Sequence, residues 1–95
     1  MHKDITAAPF WPELQKLNAK PFYYNDVNGD YTEKACDIDL STTRYLTIAP
    51  AAGNKNIWTL KVFSHGEIVY MCMAIDVDLI KKVKSIIKHY TSKKS

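Results

Sequence analysis

The spacing of apolar residues changes clearly along the second half of the chain. Alternation over 57–63 and an apolar run over 68–75 predict two β-strands, joined by a tight turn at His65-Gly66. From residue 76 to 90 the apolar residues recur every three or four positions, which predicts an amphipathic helix that begins with Asp76 or Asp78 as its N-cap. The helix residues that share the apolar stripe are Leu79, Ile80, Val83, Ile86, Ile87 and Tyr90.

The turn determines the strand pairing that we expect in this hairpin. A two-residue loop at His65-Gly66 places Ser64 opposite Glu67, and Gly66 supplies the positive φ that such turns need. Residues directly opposite each other share a face of the sheet. The face toward the helix would then hold three apolar pairs: Val62 with Val69, Leu60 with Met71, and Trp58 with Met73. The other face would hold Ile57, Thr59, Lys61, Phe63, Ile68, Tyr70 and Cys72.

The first half of the chain predicts a short helix and three further strands. The helix begins at Pro12 and ends at Asn18. A hairpin over 22–27 and 30–40 turns at Asn28-Gly29, and another strand covers 45–49. The predicted fold class is α+β: a single domain over 1–95 forms a two-layer sandwich, in which an antiparallel sheet of four to five strands carries a C-terminal helix on one face and a short N-terminal helix completes the fold. We expect residues 1–8 and 92–95 to be loose.

Aromatic residues crowd the first hairpin and the predicted sheet face away from the C-terminal helix. A sheet covered by one helix should present a polar outer face to water, but this face is half apolar. Either the N-terminal segment covers it, with Phe10, Trp11, Leu14 and Leu17, or a partner protein does. On the second alternative, the predicted protein-binding residues are Phe22, Tyr23, Tyr24, Tyr31, Phe63, Ile68 and Tyr70.

The composition is ordinary for a globular chain of 95 residues, with 46% hydrophobic and 24% charged residues and a net charge of +3. This charge permits contact with nucleic acid or anionic membranes without requiring it. The longest apolar run has eight residues, too few to span a bilayer, and the N-terminus lacks the apolar core of a signal peptide. We therefore expect a cytoplasmic protein without a membrane partner. Cys36 and Cys72 are expected to be core residues.

No catalytic or cofactor-binding motif is complete in this sequence. Asp26, Asn28 and Asp30 match the first ligands of an EF-hand calcium loop. However, Tyr31 stands where that loop needs glycine, and Asp37 replaces its closing glutamate. The three histidines and two cysteines lack the spacing of a zinc site, and Cys72 has no histidine or acid placed by sequence to activate it. We therefore expect no enzyme activity, no metal and no cofactor.

The polar side of the C-terminal helix supports an alternative function. Lys81, Lys84 and Lys88 fall within about 60° of one another opposite the apolar stripe, at about 100° per residue. Lys93 and Lys94 follow the helix. Such a row could bind phosphate backbones irrespective of base sequence, although lysine is also common on the solvated side of any amphipathic helix.

Two functional interpretations follow. The leading one is a small, non-catalytic protein-binding module, such as an accessory or inhibitor protein of the kind that phages and mobile elements encode. It would bind through the aromatic sheet face, and an exposed edge strand could pair with the partner or with a second copy of the chain to form a homodimer. The alternative is a nucleic-acid-binding domain that uses the lysine row.

Overall fold

The computed structural model describes residues 2–25, 32–51 and 56–91, and in these ranges it contains one β-sheet and two α-helices. The helices are α1 (Trp11–Lys16) and α2 (Asp76–Thr91), and a 3₁₀ turn covers Ile5–Ala7. The strands are β1 (His2–Asp4), β2 (Lys20–Asn25), β3 (Thr32–Asp39), β4 (Arg44–Pro50), β5 (Ile57–Ser64) and β6 (Glu67–Ile75). The predicted α+β fold is confirmed: an antiparallel sheet carries the C-terminal helix, and a short helix lies near the N-terminus.

The five longer strands run antiparallel in the order β2-β3-β4-β5-β6, and β1 pairs in parallel with β3. Residues 32–34 of β3 pair with both β1 and β2, whereas Cys36 and Asp37 pair with both β2 and β4. Because a strand has only two edges, β1 and β4 lie along the same edge of β3. Within the described ranges, β2 and β6 are therefore the outermost long strands.

The β2–β3 pair has the register that the sequence predicts. Asn25 lies opposite Thr32, and Phe22 lies opposite Ala35. This is the pairing expected for a two-residue turn at Asn28-Gly29. The dipeptide itself, and the partial calcium-loop motif that contains it, belong to residues 26–31, which lie outside the described ranges.

The N-terminal residues belong to the fold, so the expectation of a loose arm is wrong for residues 2–8. β1 pairs with the start of β3, from His2 opposite Thr32 to Asp4 opposite Lys34. Ile5 is fully buried, and its carbonyl accepts a hydrogen bond of 3.2 Å from the backbone N–H of Ala8. The sequence pattern missed this segment because a single buried isoleucine produces no periodic signal. Residues 92–95, also expected to be loose, lie outside the described ranges.

The buried core lies between the sheet and the two helices on one face. Leu79, Val83 and Ile86 are the buried residues of α2, as the apolar stripe predicts. The core cluster joins them to residues of β3, β4, β5, β6 and the N-terminal segment: Ile5, Phe10, Trp11, Leu14, Cys36, Ile38, Leu40, Leu46, Ile48, Trp58, Leu60, Val62 and Ala74. The N-terminal segment thus covers the helix side of the sheet and not the opposite face, which removes the first of the two alternatives for that face.

Trp58 contacts both helical segments on the same side of the sheet. The ring of Phe10 packs edge-on against Trp58, with a centroid distance of 5.4 Å. The indole N–H of Trp58 donates a hydrogen bond of 2.6 Å to a carboxylate oxygen of Asp76, the first residue of α2. A carboxylate at this position also suits the positive end of the helix dipole. One residue of β5 therefore fixes both the approach of α1 and the start of α2.

The β5–β6 hairpin has the predicted turn. His65 and Gly66 both have positive φ, at 53° and 83°, which is the backbone of a type I′ turn, and Ser64 lies opposite Glu67. The N–H of His65 donates a hydrogen bond of 2.9 Å to the carbonyl of Thr43, which ties the turn to the β3–β4 connection.

A bulge at Val69 shifts the rest of the hairpin by one residue. Phe63 lies opposite Ile68, but Val62 lies opposite Tyr70, so Val69 has no opposing residue of its own. Trp58, Leu60 and Val62 therefore face Ala74, Cys72 and Tyr70 on the helix side. The predicted pairs with Met73, Met71 and Val69 are wrong.

The bulge places the residues of β6 that follow it on the face opposite to the predicted one. Met71 and Met73, predicted to lie in the core, are 57% and 59% exposed. Tyr70 and Cys72, predicted for the outer face, lie on the helix side, where the ring centroid of Tyr70 is 6.5 Å from that of Tyr90. A hydrogen bond between the Tyr70 and Cys72 side chains raises the pKa of Tyr70, which agrees with their common face.

Candidate protein-binding surface

We call the sheet face opposite α2 the outer face. One row of directly opposed residues crosses it from Lys20 through Asp37, Thr47 and Lys61 to Met71. A second row contains Asp39, Tyr45, Phe63 and Ile68. Because both α1 and α2 pack on the other side, no helix of the described ranges covers these rows.

The centre of the outer face forms a shallow groove of about 460 Å³. Its floor is polar: Thr47 lies between Asp37 and Lys61 in their row, and Thr59 precedes Lys61 by two residues on β5. Two strand spacings, or about 10 Å, separate the positions of Asp37 and Lys61 in their row. The complete lining is Phe22, Asp37, Tyr45, Thr47, Ala49, Pro50, Thr59, Lys61 and Phe63.

Tyr45 and Phe63 form an aromatic wall of this groove. They lie opposite each other on β4 and β5, with ring centroids 4.9 Å apart and ring planes 11° apart. Such a cross-strand stack contributes about 0.5–1.5 kcal/mol beyond area burial and holds both rings in a fixed orientation. Tyr45 was not among the residues predicted from the sequence to bind a protein. Its alternation with the buried Leu46 and Ile48 marks it as an outer-face residue.

Asp37 is the acidic residue that lines the groove. Burial raises the pKa of its carboxyl, and the charge of Asp39 adds to this effect. A hydrogen bond of 2.8 Å from the Thr47 hydroxyl and the charge of Lys20 act in the opposite direction. Lys20 itself forms an exposed ion pair with Asp39, with 3.1 Å between Nζ and Oδ2. The groove therefore holds a carboxylate that is incompletely compensated within the chain.

The Asp37→Asn variant should be more stable than the wild type at neutral pH. A carboxyl whose pKa is raised by folding disfavours the folded state above that pKa, and this cost disappears below the unfolded pKa of about 3.9. The advantage of the variant should therefore shrink as the pH falls through the pKa of Asp37. Denaturation at several pH values measures the difference in stability between the variant and the wild type.

The Thr47→Val variant should raise the pKa of Asp37 further, because it removes the hydrogen bond from the Thr47 hydroxyl. Carboxyl NMR titration measures this pKa. A pKa of Asp37 in the wild type below that of an unfolded peptide would contradict the proposed effect of burial.

Exposed large hydrophobic side chains follow β6, at the border of the outer face. Seven large hydrophobic side chains are exposed in the described part of the chain, and all of them belong to residues 68–77. Five are Ile68, Val69, Met71, Met73 and Ile75, with exposures between 46% and 59%, and the others are Tyr70 at 43% and Val77 at 82%. A run of exposed apolar side chains along one edge is typical of an interaction surface.

The structure separates the residues that the sequence assigned to protein binding. Phe22 lines the groove, Phe63 forms its aromatic wall and Ile68 is exposed at the end of the same row. Tyr70 lies on the opposite side of the sheet, next to α2. Tyr23 and Tyr24 belong to β2, opposite Lys34 and Glu33, and Tyr31 lies outside the described ranges.

The lysine row of the alternative interpretation lies on α2. Lys81, Lys84 and Lys88 are exposed, on the side of the helix away from the core. Lys93 and Lys94 lie outside the described ranges. The row is therefore on the other side of the sheet from the groove, and the two candidate surfaces can be changed independently.

The remaining candidate chemistry concerns cysteines, metals and membranes. Cys36 is fully buried in the core, where burial and the charge of Asp37 raise the pKa of its thiol to about 12, so the thiol stays protonated. Within the described ranges no three His, Cys, Asp or Glu side chains are grouped to hold a metal ion. Neither helix in these ranges combines the length and the apolar character needed to cross a bilayer.

Comparison with protein-family models, with curated proteins and with solved structures gave no match for this chain. Its function must therefore be inferred from its own surface.

Proposed function

We propose that the chain is a non-catalytic protein-binding module that binds a partner protein with its outer face. One observation carries the proposal: α1 and α2 both pack on the same side of the sheet, and the face with the groove has no cover from the described elements. Stacked aromatic rings next to exposed methionines are typical of protein interfaces. An accessory or inhibitor protein of the kind that phages and mobile elements encode would act in this way.

The groove suggests the chemistry of the partner. Covering it would desolvate the carboxylate of Asp37 still further, at a cost that an opposing cation would offset. A lysine or arginine of the partner could reach Asp37 while its aliphatic stem packs on the Tyr45–Phe63 stack. We therefore propose a partner segment that combines apolar side chains with a basic residue.

The test is capture of the tagged protein from lysate, with and without nuclease, followed by affinity measurements with the purified partner. Phe63→Ala should weaken binding by about 30-fold, as expected for an aromatic anchor worth about 2 kcal/mol. Tyr70→Ala is the matched control, because this exposed ring lies on the opposite side of the sheet. Both variants should retain the circular dichroism spectrum of the wild type.

Two results would contradict the proposal. If Phe63→Ala and Asp37→Ala both bind the partner as tightly as the wild type, the outer face is not the binding surface. If all captured material is lost on nuclease treatment, and charge reversal of Lys81, Lys84 and Lys88 abolishes retention on heparin, the chain is a nucleic-acid-binding domain.

A further inference from the structure

The free edge of β6 carries neither lysine nor proline, and its one protective feature, the bulge at Val69, lies in the first half of the strand. β6 has nine residues and, within the described ranges, pairs only with β5, so one side of its backbone offers N–H and C=O groups to another strand. Edge strands are usually protected by lysine or proline, and β2, at the other edge, carries both Lys20 and Pro21. Between Glu67 and Asp76, β6 contains no charged residue and no proline.

The exposed side chains of β6 lie on both faces of the sheet. Met71 and Met73 are exposed on the outer face, and Tyr70 is exposed on the helix side. A partner that lies on the outer face alone would leave Tyr70 in water. A strand that pairs with β6 would shield the exposed side chains on both faces of the sheet. Its own side chains would have to be apolar on both faces over a similar length.

We propose that this strand is β6 of a second copy, paired antiparallel about a twofold axis at Met71. Met71 is the middle residue of the strand, and an antiparallel strand that pairs with its own copy is self-complementary. Each Val69 then faces Met73 of the second copy, and each Tyr70 faces Cys72. The bulge ends the regular pairing at Val69 and Met73, because Glu67 and Ile75 lie on different faces of the sheet. The paired stretch 69–73 contains no charged residue, so no like charges oppose each other in it.

The position of helix α2 over β6 is compatible with the same twofold axis. Asp78, Lys82, Ser85 and His89 follow one another at three- and four-residue steps and form one flank of the helix. Ser85 and His89 lie next to Tyr70, so this flank borders the free edge of β6. Because α2 begins directly after Ile75 and reaches Tyr70 with its last turns, the middle of the helix lies over the middle of β6.

The twofold axis therefore places two α2 helices side by side and antiparallel. The acidic N-terminal end of one flank, at Asp78, then meets the basic C-terminal end of the other, at His89. This complementary arrangement adds to the strand pairing. The dimer goes beyond the proposed function and does not compete with it, because the groove is lined by residues of β2, β3, β4 and β5 and stays open.

The first test is the mass of the full chain in solution, measured by light scattering and analytical ultracentrifugation at micromolar concentrations. We expect twice the mass of one chain. Met71→Lys places two like charges against each other on the axis and should raise the dimer dissociation constant about tenfold or more. Val77→Lys is the matched control: Val77 is even more exposed, lies beyond the strand, and should leave the dimer intact.

Disulfide formation tests the register. In a Cys72→Ser background, Met71→Cys should oxidise to a covalent dimer, because residues directly opposite in an antiparallel pair lie within disulfide distance. Met73→Cys should not, because on this axis the two copies of residue 73 are about 13 Å apart. A wild type that stays monomeric up to millimolar concentration would overturn the proposal. So would a dimer that Met71→Lys does not weaken.

Discussion

Replacement of Leu60 by alanine is expected to lower the free energy of unfolding by about 3–5 kcal/mol. Leu60 has no exposed surface and lies on β5, opposite Ile48 of β4 and Cys72 of β6. It belongs to the same buried cluster as Leu79 and Val83 of α2. Its truncation would leave a cavity between the sheet and the helix that strands paired on both sides cannot close.

A loss of this size is a large part of the stability of any domain of this length, which is about 5–15 kcal/mol. The melting temperature should fall by roughly 15 °C or more. Thr59→Ala is the matched control, because Thr59 is the preceding residue and faces the groove instead of the core. Urea and thermal denaturation measure both variants. Equal stabilities would contradict the assignment of the two faces of β5.

The second large effect is expected at α1. Leu14→Ala should cost about 2–5 kcal/mol, because Leu14 is fully buried and shares a cluster with Trp58 and Ile38. The variant tests whether the N-terminal segment is part of the core or only a cover that can detach. Gln15→Ala, one residue further along and exposed, should change the stability by less than about 0.5 kcal/mol.

A detachable segment would give a different result. Leu14→Ala would then leave the main unfolding transition unchanged and would only increase hydrogen exchange in residues 5–19. A single cooperative transition at lower denaturant concentration is the result that the buried cluster predicts.

The elements that the sequence predicts well are those with a strong local signal. The stripe of α2, with Leu79, Val83 and Ile86 at its centre, follows from helical periodicity alone. The turn at Gly66 and the register of the β2–β3 pair follow from turn chemistry. In each case neighbouring residues contain all the information that the structure uses.

The parts that the sequence does not predict depend on long-range contacts. Every residue of β6 from Ile68 to Ile75 is apolar, so alternation cannot reveal the extra residue at Val69. Tyr45 joins the groove only because β4 pairs with β5 in one particular register, and the six-residue connection between these strands does not specify that register as a two-residue turn would. The same holds for Ile5, whose burial depends on the position of β3.

The bulge at Val69 also has an evolutionary consequence. Loss of one residue inside a strand normally turns every following side chain to the other face and brings charges into the core. At Val69 such a deletion would only remove the bulge, because Val62 already lies opposite Tyr70 and Leu60 lies opposite Cys72. Both faces of β6 would keep their residues, and the core beneath α2 would not need to repack. The chain could therefore lose one codon in the middle of a strand without turning a side chain to the other face.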